Sequence, residues 1–76
     1  MRRLRRLSGR DVRRILELEG FVLVRQRGSH MILQYRRPEG GTITVPVPDH
    51  RELRTGTLIG IIEQSGLPRT LFEAPE

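Results

Sequence analysis

The chain has no cysteine and no tryptophan, and none of its cations is a lysine. Without cysteine there can be no disulfide and no zinc site built on thiolates. His30 and His50 are the only histidines, and few acids stand near them. A metal centre is therefore poorly supplied with ligands, and neither metal nor other cofactor is expected. Aromatic residues are limited to Phe21, Tyr35 and Phe72, too few for the stacking platform of a single-strand binder. No apolar run approaches the ~18 residues needed to cross a bilayer. The opening Met1–Leu7 is basic and lacks the apolar stretch of a signal peptide, so the chain reads as cytoplasmic. No phosphate-cradling glycine loop, metalloprotease helix or acyl-transfer motif is present. Asp49 and Glu52 have no companion carboxylate at a set spacing, which leaves glycosidase chemistry unsupported.

What the chain does have is arginine. All 14 basic residues are arginines, and the formal net charge is +5 over 76 residues. Arg2, Arg3, Arg5, Arg6, Arg10, Arg13 and Arg14 crowd the start, where Asp11 is the only acid. A guanidinium fork matches phosphate geometry and stays charged, so the cluster points to nucleic acid or an acidic partner. The plainer alternative is a solvated tail and helix face. The length allows one domain, 1–76, with a core formed by a single layer contact. A shallow surface site acting on a large substrate suits this size better than an enclosed cavity.

Periodicity predicts a helix over residues 8–19. Ser8 is a good N-cap, Asp11 stands where a capping box needs an acid, and Leu7 with Val12 can form a hydrophobic staple. Val12, Ile15 and Leu16 form its apolar stripe, Leu18 widens it, and Gly20 ends it. Phe21 to Gln26 reads as a strand, Gly28-Ser29 as a turn, His30 to Arg36 as a second strand, and Thr42 to Val47 as a third after the turn Pro38–Gly41. Pro46 to His50 ends the sheet and opens a loop. A second helix follows over 56–65, with Thr55 as N-cap and Leu58, Ile61 and Ile62 as its stripe. Pro68 to Phe72 adds a short helical turn. Residues 1–7 are expected as a basic arm and 73–76 as a frayed tail. The order helix, three antiparallel strands, helix makes an α+β two-layer sandwich of the double-stranded-RNA-binding kind.

Alternation sets Met31, Leu33 and Tyr35 toward the helices. It leaves His30 on the open face with Gln34, Arg36, Thr42 and Thr44, and with Ile32 as the one apolar misfit. A histidine can take and give protons at neutral pH. RNA supplies its own nucleophile, the 2′-hydroxyl. Cleavage then needs a base, an acid and positive charge near the phosphate. His30 with nearby Arg25, Arg27 or Arg36 meets that need; an exposed strand histidine without a task is the alternative. His50, in a proline-rich loop, is a second candidate acid or base, though such histidines more often bond local backbone. Ser29 reads as a turn residue able to hold a phosphate or the ring, and Gly28 as a residue chosen for its backbone.

The string Ser8-Gly9, Gly20-Phe21, Arg25-Gln-Arg-Gly-Ser-His30, Thr44-Val-Pro46, Pro48-Asp-His50, Glu52-Leu53, Gly56-Thr57-Leu58 and Gln64-Ser-Gly66 resembles the HicA mRNA-interferase toxins over roughly residues 8–72. Taken in this order, the Gly-Ser-His turn, the Pro-x-His loop and the Gly-Thr-Leu helix start are fairly specific. The resemblance implies a double-stranded-RNA-binding-like fold and metal-independent cleavage of mRNA that inhibits translation. It places the catalytic histidine at His30, and it implies a cognate HicB antitoxin that covers the site. The histidine of the Pro-x-His loop falls on His50. Arginine stands here where lysine is common in the family, and the start is more basic. A non-catalytic RNA-binding module is the alternative reading. A third is an interaction protein whose basic surface meets only an acidic protein.

Overall fold

A computed structural model describes residues 1–75. Helix α1 spans Gly9–Leu18, strands β1, β2 and β3 span Val22–Arg27, His30–Arg36 and Thr42–Pro48, and helix α2 spans Thr55–Ser65. A short 3-10 turn, Arg69–Phe72, follows. The strands form one antiparallel sheet in the order β1-β2-β3, and both helices pack on one face of it. This is the expected α-β-β-β-α sandwich of the double-stranded-RNA-binding kind.

Local chemistry explains the start of α1. The Ser8 hydroxyl accepts from the Asp11 amide at 3.0 Å, and the Ser8 amide donates to the Asp11 carboxylate at 3.0 Å. This reciprocal capping box satisfies two amides at an end where the helix cannot. It also holds the Asp11 carboxyl below its ordinary value of 3.8: the Ser8 amide contributes most, then the Ser8 hydroxyl; desolvation opposes them, and Arg14 and Arg5 add still smaller lowering effects. Gly9 follows the cap, buried against Pro48 and Asp49. Leu7 and Val12 are both in the core, as the staple requires.

The core unites Val12 and Leu16 of α1, Met31, Leu33, Val45 and Val47 of the sheet, and Leu58, Ile61 and Ile62 of α2. Leu7, Phe21, Leu53 and Phe72 close it from the connecting segments. Leu18 does not widen the α1 stripe: it is 80% exposed, because at about 3.6 residues per turn it stands on the side of the helix away from Val12 and Leu16. Arg54, not Thr55, occupies the N-cap of α2, and it makes no side-chain capping bond. The first strand starts and ends one residue later than its pattern suggests, and the third runs on to Pro48.

Pro46 and Pro48 can sit in β3 because of the register. The Asp49 amide donates to the Ser29 carbonyl at 2.6 Å. Amides at odd positions here face β2, so those at 46 and 48 face the outer edge. The two prolines remove two donors from that edge and leave the β2 ladder intact.

Among the described residues, the flanks are not a loose arm and tail but pair with each other. Leu4 forms a bridge with Glu73. The Arg5 amide donates to the Phe72 carbonyl at 2.9 Å, and the Ala74 amide to the Arg3 carbonyl at 2.8 Å. The Leu53 amide donates to the Leu7 carbonyl at 2.8 Å. Arg69 bridges to Glu73 at 2.7 Å and to the Arg2 carbonyl at 2.8 Å. Of the expected frayed tail, Glu76 lies outside the described residues.

Candidate functional site

The hairpin that presents His30 has a two-residue loop, Gly28-Ser29, between the paired Arg27 and His30. Gly28 has φ +59 and Ser29 does not have positive φ, the pattern of a II′ turn with glycine at its first central position. The Asp49 bond to the Ser29 carbonyl ties this hairpin to the loop after β3. That loop is clamped in turn by α1. The Gly9 amide donates to the His50 carbonyl at 2.8 Å, and Arg10 Nε reaches Asp49 Oδ1 at 3.3 Å. His50 thus contributes its backbone to the clamp while its ring is exposed.

Cross-strand partners share a face of a sheet, so the register shows what accompanies His30. Its partners are Arg27 on β1 and Pro48 on β3. The next row on this face is Arg25, Ile32 and Pro46, and the row after it Val22, Gln34 and Thr44. Strict alternation in β1 would put Arg25 and Arg27 on the face of Leu23, toward the core. The register shifts between Leu23 and Arg25. This bulge at Val24 carries both arginines across to the face of His30. Neither arginine forms an ion pair among the described residues, and both are exposed.

Arg36 lies on the same face but at the far end of β2, opposite Thr42. Six residues of strand separate it from His30, roughly 20 Å at ~3.3 Å per residue. The structure therefore gathers Gly28, Ser29, Arg25 and Arg27 around His30 and leaves Arg36 apart. Ile32 is 7% exposed, so it offers no apolar handle on this face. Val22, at 61%, is an exposed apolar residue there.

His30 also lines a shallow groove of about 260 Å³ with Pro46, Pro48, Gly56, Thr57, Gly60 and Gln64. Its α2 wall was not legible from strand alternation. Gly60 lies inside a helix with ordinary negative φ, and a Cβ added there would meet nothing within 4 Å. Neither backbone nor packing calls for glycine at that position, which costs about 1 kcal/mol against alanine. What Gly60 and Gly56 leave is space beside the imidazole. Two glycines four residues apart in α2 are the available signal.

Among the described residues, no three His, Cys, Asp or Glu side chains come together in a metal-binding group. No helix among them is long and apolar enough to cross a membrane.

An exposed histidine beside two arginines without an ion pair among the described residues, on the open sheet of a double-stranded-RNA-binding-like sandwich, gives a small α+β domain with a basic open face. The family model of the HicA toxin of bacterial toxin-antitoxin systems matches residues 9–67, more than half of the chain, and the chain belongs to that family. It is a toxin of such a system, and membership implies an antitoxin partner of the HicB type. No curated protein matches the chain significantly.

Proposed function

We propose that this toxin is an mRNA endoribonuclease that inhibits translation in the cytoplasm, with His30 as its general acid/base. The observation that carries the reading is the His30 row of the sheet. An exposed imidazole stands beside Arg27, Arg25 follows on the same face through the Val24 bulge, and a groove opens next to them.

The chemistry needs no residue beyond these. His30 takes the proton of a ribose 2′-hydroxyl, and that oxygen bonds to the adjacent phosphorus. The bond from phosphorus to the 5′-oxygen breaks, and the leaving oxygen takes a proton from the imidazolium or from water. The products are a 2′,3′-cyclic phosphate and a 5′-hydroxyl. Arg27 and Arg25 offset the charge that builds on the phosphate oxygens in the transition state. Gly28 lets the tight turn form, and Ser29 fixes the hairpin through its carbonyl. No metal takes part in this scheme. A HicB-type antitoxin silences the site by covering the His30 face.

The test compares wild type with His30→Ala on a defined RNA in EDTA. A general acid/base contributes about 10²–10⁴-fold, so the variant is expected to fold normally and lose cleavage by that order. Full activity in His30→Ala would refute the assignment. Intact RNA with both folded, antitoxin-free proteins would leave a non-catalytic RNA-binding module.

A further inference from the structure

The family match ends at residues 9 and 67, and the segments outside it pair with each other. Residues 3–5 run antiparallel to 72–74, through the bonds from Arg5 to Phe72 and from Ala74 to Arg3 and through the Leu4–Glu73 bridge. Leu7 and Phe72 anchor the two flanks in the core, with Leu4 packed against it. The result is a small two-stranded platform added to the family domain.

The platform holds Arg3, Arg5 and Arg6 at the surface, and none of the three forms an ion pair among the described residues. They line a hollow of about 640 Å³ together with Glu52, Thr55 and Leu58. Thr55 opens α2, and the next residues, Gly56 and Thr57, line the His30 groove. The two hollows thus lie on opposite sides of one helical turn, a helix diameter of roughly 10–12 Å apart. The turn between them carries the amides of the α2 start, which no side chain caps, and these add partial positive charge to the path joining the hollows.

We propose that this platform is a second phosphate-binding surface of the toxin. It grips the RNA flank that leaves the His30 groove and passes over the first turn of α2. The inference rests on the proposed RNA reading, and it names residues for which the family domain has no counterpart in the match. One carboxylate, Glu52, shares the hollow with three arginines, so the balance still favours a polyanion. Backbone hydrogen bonds build the platform, which frees the arginine side chains for a ligand.

The experiment measures binding of a single-stranded RNA oligonucleotide to His30→Ala, which holds the RNA uncut, between 50 and 200 mM salt. The comparison protein adds Arg3→Gln, Arg5→Gln and Arg6→Gln. Each phosphate contact to a single strand contributes about 0.7 to the slope of log affinity against log salt. Loss of three contacts lowers the slope by about 2, which is roughly 20-fold in affinity over that salt range. Arg→Lys at the three positions is expected to retain the slope. Circular dichroism confirms that each variant is folded. An unchanged slope in the Gln variant would overturn the proposal, and it would do so without touching the His30 reading if His30-dependent cleavage persists. No RNA binding by any variant, with no cleavage by wild type, would overturn both.

Discussion

Gly9→Ala is the most incisive substitution in this fold, because propensity and packing give opposite signs. Gly9 is the first residue of α1, and alanine is favoured over glycine in helices by up to about 1 kcal/mol. On that ground the variant should be more stable. The structure opposes this. A Cβ at Gly9 would overlap the Pro48 carbonyl oxygen, with the Pro48 carbonyl carbon at 2.9 Å and the Asp49 Cα at 3.1 Å. All three are backbone atoms, so no side chain can swing away. Either α1 or the Pro48–His50 loop must move. Such overpacking costs about 1–3 kcal/mol. Movement also strains the Gly9–His50 and Asp49–Ser29 backbone bonds, at about 1 kcal/mol each if lost. The net expectation is a loss of about 2–4 kcal/mol, large against the ~4–11 kcal/mol typical of a domain this size. At about 4–8 °C per kcal/mol, the melting temperature should fall by roughly 8–32 °C. Thermal unfolding followed by circular dichroism reads this directly. A melting temperature equal to or above wild type would refute the packing argument. Because the same loop holds the His30 hairpin, cleavage well below the melting temperature is expected to fall as well.

Two further outcomes follow from features of the ends. The Asp11 carboxyl is held below its ordinary value of 3.8 by the Ser8 amide and hydroxyl, so its contribution to stability is complete above that value and is lost as the pH falls through the lowered one. Asp11→Asn should therefore flatten the acid limb of the melting temperature below about pH 4, and an unaltered limb would remove Asp11 as a source of it. Phe72 is fully buried although it lies outside the family match. Phe72→Ala should cost about 3–5 kcal/mol in urea unfolding, and a loss under about 1 kcal/mol would show that the platform is not integral to the core.

Much of this arrangement is written in local sequence. Ser8, Asp11 and Leu7 mark the start of α1 by chemistry that acts within four residues. Gly28-Ser29 sets the hairpin, and the apolar alternation of β2 fixes its inward face. Contacts distant in sequence are harder to read. Nothing near Leu4 indicates Glu73 as its neighbour, so the flanks look like loose ends. Leu18 reads as core because it is apolar and adjoins the stripe in sequence, although helix geometry turns it away from Val12 and Leu16. Ile32 reads as exposed because strand phase alone does not reveal how its neighbours cover it. The exposed position of His30 directly after the Gly28-Ser29 turn is legible. Arg25 and Arg27 reach His30 only through a register shift that no residue type announces, and Arg36 reads as a neighbour only if strand length is ignored. The α2 wall of the groove depends on tertiary packing altogether.

The bulge at Val24 has a consequence for how such toxins are compared. The positive wall beside His30 depends on a count of residues, one more in β1 than in the facing stretch of β2. Two chains can therefore carry the same arginines in the same order and still differ in which side of the sheet those arginines serve. Removing a single uncharged residue would turn the electrostatics of the face inside out while leaving the composition of charge untouched. Insertions and deletions in this strand thus carry functional meaning that a tally of matched residues does not register.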